Sequence, residues 1–276
     1  YDGLGLMQKH VTVKNDEVQK IYADLHDYAN SPENFTPENR KAISDMPKAF
    51  AELAEKIIWT PIEFISDTPG KNNYKYIMGG GGVTTQKLAQ LVENAQTQIV
   101  IQSPYLVMSR QAKALFKRAL KRGVKVRINT NSLASTDNVE AFSGYRNQRD
   151  QLIKMGIEIY EYKPDPQIKQ KLLKHVLPKD AKPPVFAIHA KSMVVDNKTV
   201  FIGTFNFDPR SQNLNTEVGV IVQNEALASN VQSAIEADMQ TENSWNAATD
   251  NPDQYATGAK RRKVAALQLT PIKPLL

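Results

Sequence analysis

The 276-residue sequence has no cysteine. That excludes disulfides, thiolate nucleophiles and cysteine-ligated zinc. It leaves the compartment open, because a cysteine-free domain is stable in any redox environment. Long apolar runs are also missing. The longest are strand-sized, such as Val218–Val222, against the roughly 20 residues that span a bilayer. Residues Tyr1–His10 lack the basic-then-apolar order of a secretory signal. The chain starts with Tyr rather than Met, so we expect the natural start, and any targeting signal with it, to be missing. No motif occurs twice and no tandem repeat is present.

What is present fits a globular protein with a sizeable core. Hydrophobic residues make up 41% and charged residues 23%. The formal net charge of +6 favours anionic partners, nucleic acid or anionic lipid headgroups.

Residues 1–70 read as mostly helical, with apolar residues at helical spacing over Val18–Ala29 and Pro47–Ile58. Strand–helix alternation starts beyond the glycines at Gly79–Gly82. Strands are expected at Gln98–Ile101, Val124–Ile128 and Ile157–Tyr162, and helices at Gln86–Ala95, Gln111–Arg122 and Tyr145–Met155. Gly123 and Gly156 stop the last two helices. The alternation predicts an α/β fold with a mixed, mostly parallel sheet flanked by helices, preceded by a helical N-terminal segment. Ligands in such sheets sit at the carboxyl ends of strands, here the loops Ser103–Tyr105 and Thr130–Asp137. Lys163–Pro184 is a Pro/Lys-rich excursion. Further strands are expected at Val185–Val195, Thr199–Phe207 and Glu217–Val222, then a helix at Glu225–Met239.

The informative stretch is His189-Ala-Lys191-Ser-Met-Val-Val-Asp196-Asn-Lys-Thr-Val-Phe-Ile-Gly203-Thr204-Phe-Asn206. On a strand, His189 and Lys191 share a face. A two-residue turn at Asn197–Lys198 would pair Asp196 with Thr199, putting His189 opposite Asn206 and Lys191 opposite Thr204. Four polar side chains then meet on an otherwise apolar hairpin, where each needs a partner or a job. Phosphodiester chemistry supplies one. An ammonium with amide and hydroxyl donors neutralises the charge that builds on the phosphoryl oxygens. A neutral imidazole can attack phosphorus or protonate the leaving alkoxide. Glu217 is the candidate carboxylate for the other ring nitrogen. Asp196, at the hairpin end, is expected to be structural. The scheme needs no cofactor or metal, and no carboxylate cluster suits magnesium or calcium.

The pattern His-x-Lys-x4-Asp-x6-Gly-Thr-x-Asn resembles the HKD signature of the phospholipase D superfamily, with Thr204 where the family often has Ser. Ser103-Pro-Tyr105, Thr130-Asn-Ser-Leu-Ala-Ser-Thr-Asp137 and Phe207-Asp-Pro-Arg-Ser211…Leu214-Asn-Thr-Glu217 are similar to the C-terminal half of bacterial cardiolipin synthases, especially the C-type branch. The resemblance covers about residues 57–242. It implies a phosphatidyltransferase acting through a phospho-histidine, with His189, Lys191, Thr204, Asn206 and Glu217 in the site and Asp196 and Gly203 structural. Tyr105, Asn131 and Ser132 either line the substrate cleft or cap their loops. The family carries two such motifs and this chain one. The resemblance therefore makes His189 the second histidine, the general acid of a full-length enzyme, with the nucleophile's role left open. Residues 1–71 would be a linker after a missing first half, 72–242 the catalytic half, and 243–276 an irregular basic tail.

The expected partners are an anionic phospholipid, a bacterial membrane surface met peripherally, and the missing half or a second copy of the chain. Nucleic acid ranks below lipid. Two other readings stand: a homodimeric single-motif nuclease, and an inactive isolated half. Lys260–Lys263 beside Val264–Leu269 reads as a solvated tail or a lipid contact. Trp59 and Trp245 read as packing residues.

Overall fold

Ile99, Val100 and Ile101 follow one another without polar alternation, and such a strand needs cover on both faces. The computed structural model, which describes residues 14–32, 37–71, 81–169 and 184–268, provides that cover. Its sheet holds β1 (Ile62–Ser66), β2 (Gln98–Gln102), β3 (Lys125–Asn131), β4 (Glu158–Tyr162), β5 (Ser192–Val195), β6 (Thr199–Gly203), β7 (Val218–Gln223) and β8 (Ser244–Asn246). Their spatial order is β1-β7-β6-β5-β2-β3-β4-β8.

The helices are α1 (Asn15–Asn30), α2 (Pro37–Glu55), α3 (Val83–Asn94), α4 (Arg110–Lys121), α5 (Val139–Arg146), α6 (Arg149–Lys154), α7 (Pro209–Asn213), α8 (Glu225–Asp238) and α9 (Gly258–Gln268). On one face of the sheet, Leu88 and Val92 of α3 and Phe116 and Ala119 of α4 pack with Ile99, Ile101, Val126, Ile128, Met193 and Phe201. On the other, Ala228 and Ile235 of α8 cover Val100, Val194 and Val200. Phe116→Ala would remove the largest side chain of the first helix layer, at about 3–5 kcal/mol. Helices α1 and α2 form one unit, and the sheet with its helices another. No described helix is long and apolar enough to cross a membrane.

The α/β class with flanking helices holds, but the proportion of parallel pairing does not. Among the described strands only β2–β3 and β3–β4 are parallel, and the other five pairings are antiparallel. Strand–helix alternation governs β2 to β4 alone. After it the chain returns as the β5–β6–β7 meander, and β1 and β8 add antiparallel edges. The helix expected over 145–155 breaks at Asn147–Gln148 into α5 and α6. Gly123 and Gly156 do end their helices, at φ of 88° and 101°.

The tail beyond residue 243 is not irregular. β8 pairs with β4, and α9 packs on α5 through Val264, with Lys263 paired to Glu140 at 2.6 Å. Two of the four basic residues read as a solvated cluster are therefore engaged, since Lys260 also donates to the carbonyls of Ala134 (3.1 Å) and Thr136 (2.7 Å). Trp245 stacks on Tyr255 at 4.6 Å, but Trp59 is 89% exposed and packs on nothing extensive. His10, His175 and parts of the 79–82 and 163–184 segments lie outside the described residues.

Candidate active site

The register of the sheet brings several chain ends to one edge. Ser66 pairs with Val218, Gly203 with Gly219, Ser192 with Ile202, and Gln102 with Ser192. The loops after β2 and β3, the entry to β5 and the exit of β6 therefore open at the same end. Val107 N–H donates to the Phe207 carbonyl at 2.7 Å, which knits the loop after β2 to the loop after β6.

The β5–β6 turn differs from expectation by one residue. Asp196 and Asn197 both sit at φ 53°, and Lys198 N–H donates to the Val195 carbonyl at 3.0 Å. Asp and Asn tolerate this left-handed pair. Val195, not Asp196, is paired with Thr199, so Lys191 lies beside Gly203, whose N–H donates to the Lys191 carbonyl at 3.1 Å. Neither His189–Asn206 nor Lys191–Thr204 is a cross-strand pair. The strand also starts at Ser192 rather than Val185, so His189 and Lys191 precede it.

Gly203 is fixed by packing. A Cβ there would stand 2.4 Å from the Val218 carbonyl oxygen and 2.7 Å from the Phe201 ring. Asp196 stands at the opposite end of β5 from His189. Its carboxylate accepts from the N–H groups of Gln96 (2.9 Å), Thr97 (2.7 Å) and Gln98 (3.0 Å) and from the Thr97 hydroxyl (2.9 Å). Burial works to raise its pKa, but these bonds outweigh it and hold the carboxyl below the ordinary value.

His189 is exposed, and its ring has no hydrogen bond among the described residues. Its backbone is held instead. Lys191 Nζ donates to the His189 carbonyl at 2.8 Å, and the preceding Ile188 is gripped through both backbone groups by Asn131. Burial pulls the Lys191 ammonium below its ordinary pKa, against the opposing fields of Glu217, Asp137 and Asp208. Glu217 is buried and does not bond His189. It accepts from the Thr204 hydroxyl, which in turn accepts from Val218 N–H at 3.0 Å. Behind it, Asp67 accepts from Glu217 N–H (3.0 Å), Thr84 N–H (2.8 Å) and Lys71 Nζ (2.6 Å).

Asn206 N–H donates to Ser211 Oγ at 3.1 Å, and Ser211 N–H to Asp208 at 2.7 Å, so the cap of α7 fixes the Asn206 backbone. The Asn206 side-chain oxygen is buried without a partner among the described residues. An unpaired buried polar atom costs roughly 1–3 kcal/mol, which marks an amide kept for another purpose. Asn206 lines an open cleft of about 630 Å³ with Tyr105, Asp137, Asp208, Arg210 and Asn215. Sequence reasoning missed Arg210 and Asn215 as cleft residues; the only signal was their place directly after the motif.

Of the three expected cleft residues, Tyr105 is there, its hydroxyl donating to Asp137 at 3.1 Å. Burial and the Asp137 charge push its pKa up to about 12. Asn131 and Ser132 do not line this cleft. Both are buried behind it, Asn131 on Ile188 and Ser132 within 3.2 Å of Ser135. No three described His, Asp or Glu side chains converge to hold a metal.

This sheet, with its loops gathered at one end, is the phospholipase D-like fold. The solved structure of phosphatidylserine synthase from Haemophilus influenzae Rd KW20 shares it, with a TM-score of 0.52 and 16% identity over 78% of this chain and 47% of that one. The chain belongs to the family described as cardiolipin synthase, PLD-like domain, whose pattern matches residues 88–239. Among relatives, cardiolipin synthase C of Escherichia coli K12 is 37% identical over 172 residues, 62% of this chain and 35% of that protein. An uncharacterized protein of Helicobacter pylori 26695 is 27% identical over 251 residues, 88% of this chain and 45% of its own length. The chain thus spans less than half the length of these relatives.

Proposed function

We propose that this chain is one catalytic half of a phosphatidyltransferase, acting on an anionic phospholipid at a membrane surface. The observation that carries the reading is an exposed imidazole whose backbone carbonyl is held by the Lys191 ammonium, at the sheet end where the Asn206 side-chain oxygen is buried without a partner among the described residues. Lys191 and the Asn206 amide N–H hold the phosphate, while Thr204, whose hydroxyl donates to Glu217, fixes that carboxylate beside them. One histidine attacks phosphorus, a P–N bond forms and the P–O bond to the leaving alcohol breaks, its oxygen taking a proton from a second histidine. An acceptor alcohol then reverses the step, yielding a new diester: cardiolipin from phosphatidylglycerol, or phosphatidic acid when water accepts. His189 supplies one of the two imidazoles, and the missing half or a second copy supplies the other. Because β1 pairs with β7 and Asp67 bonds Glu217, the catalytic half begins at about Thr60 rather than at residue 72, and the segment before it is the link to its counterpart.

A specific feature favours lipid over nucleic acid. A second cavity, about 220 Å³, opens between α3 and α4 and is lined by Leu88, Val92, Val107, Leu115, Phe116, Phe205 and Phe207. It shares Asp208 with the cleft. It is larger than the roughly 150 Å³ apolar cavity that takes up benzene, so a segment of acyl chain fits. Each methylene moved there from water gains about 0.8 kcal/mol.

The test offers the full-length protein phosphatidylglycerol vesicles and, separately, supercoiled plasmid, both without added metal. Glycerol release from vesicles supports the proposal. Plasmid nicking without lipid turnover replaces it with the nuclease reading.

A further inference from the structure

Asn131 is the last residue of β3 and is 2% exposed. Its Nδ2 donates to the Ile188 carbonyl at 2.9 Å, and its Oδ1 accepts the Ile188 N–H at 2.8 Å. A carboxamide has the donor and acceptor of a peptide unit, so this side chain stands in for a neighbouring strand. The stretch needs one. Residues 184–191 run outside any strand, and their described backbone bonds lie at its ends, Phe186 N–H to the Pro164 carbonyl (3.1 Å) and Gly203 N–H to the Lys191 carbonyl (3.1 Å).

The consequence falls on the next residue. The Ile188 carbonyl shares a rigid plane with the nitrogen and Cα of His189. Holding that oxygen sets where the His189 side chain starts. Lys191 Nζ holds the following carbonyl at 2.8 Å, and the Ile188 side chain is itself buried. The imidazole is therefore mobile about its own side-chain bonds but starts from a fixed point.

We infer that Asn131 is a positioning residue for His189, an inference that rests on reading His189 as a reacting group. It does not touch the substrate, and it acts through the backbone of residue 188. Only an amide serves both Ile188 groups. In Asn131→Asp a carboxylate oxygen replaces the donor and faces the Ile188 carbonyl.

The test uses the full-length protein with phosphatidylglycerol vesicles and rates normalised to folded protein. Asn131→Asp, and Asn131→Ser as a smaller change, should lower kcat by about 100-fold, the cost of a misplacement of about 1 Å. KM should stay within about threefold. The same substitution in His189→Ala protein, assayed with and without added imidazole, should alter the residual rate less than about twofold, because no tethered ring remains to be placed. A raised KM at unchanged kcat would make Asn131 a cleft residue and overturn the inference. So would a loss that repeats in full in the His189→Ala background. If His189→Ala alone leaves turnover intact, it is the functional reading that fails, whatever Asn131 does.

Discussion

Replacing Asp196 should unfold the protein more easily without touching its chemistry. The carboxylate accepts four hydrogen bonds from residues 96–98, where the chain enters the central strand β2. Bonds to a charged acceptor contribute about 1.5–3 kcal/mol each in isolation, less here because water reaches this half-buried site. For Asp196→Ala we expect about 3 kcal/mol in all, including strain at φ 53°, which alanine tolerates worse than aspartate. Asp196→Asn keeps the turn and one acceptor and should cost about half of that. At roughly 2–4 °C per kcal/mol, Tm falls by about 6–12 °C for the alanine variant.

The pH dependence has a defined sign. The folded carboxyl lies below its ordinary value, so its contribution is complete above the unfolded pKa of about 4 and is lost as pH falls through the folded value. Wild type and Asp196→Asn should therefore differ fully at pH 7 and converge in strong acid. The assay is thermal unfolding across pH, paired with vesicle turnover per folded molecule. Turnover lost at an unchanged Tm would refute the structural role.

Other changes test the packing around the site. Gly219→Ala puts a Cβ 2.3 Å from the Phe201 ring and should cost about 1–3 kcal/mol; adding Phe201→Leu should recover most of it in a denaturant titration. Gly203→Ala should not be rescued this way, because the Val218 carbonyl also blocks it. Arg149 lies 2.7 Å from the fully buried Glu161 and 2.6 Å from Asp253; burial opposes its charge, but these carboxylates and Tyr145 hold it protonated. Arg149→Met should then cost about 3–5 kcal/mol by chemical denaturation, and Arg149→Met with Glu161→Leu clearly less. Lys260→Met frees the Ala134 and Thr136 carbonyls and should cost about 1–2 kcal/mol, with faster amide exchange in the 132–137 loop.

The βαβ core was legible because local signals agree there: buried β-branched runs, amphipathic helices and glycines at their ends. The errors arose where side chains replace backbone pairing. Residues 185–191 alternate like a strand, yet it is the Asn131 amide that holds Ile188, and no local pattern distinguishes the two. The register slipped by one because an Asp–Asn pair in left-handed conformation is readable only if the turn is placed at Asp196 rather than Asn197. Parallel strands were over-counted because β1 and β8 join the sheet from far along the chain. The C-terminal helix was not read because, besides Val264 and Leu267 on the core, its anchors are lysine-to-carbonyl and lysine-to-glutamate contacts that leave no apolar pattern. The residue types of the motif were evident from spacing alone. The link from Glu217 to Thr204 depends on the third strand and was not.

The most direct measurement compares full-length wild-type and His189→Ala proteins on phosphatidylglycerol vesicles, with circular dichroism melts of both. The account predicts a rate loss of about 10³-fold or more at an unchanged melting curve, since the ring bonds nothing described in the fold. Comparable turnover in the two proteins would contradict it.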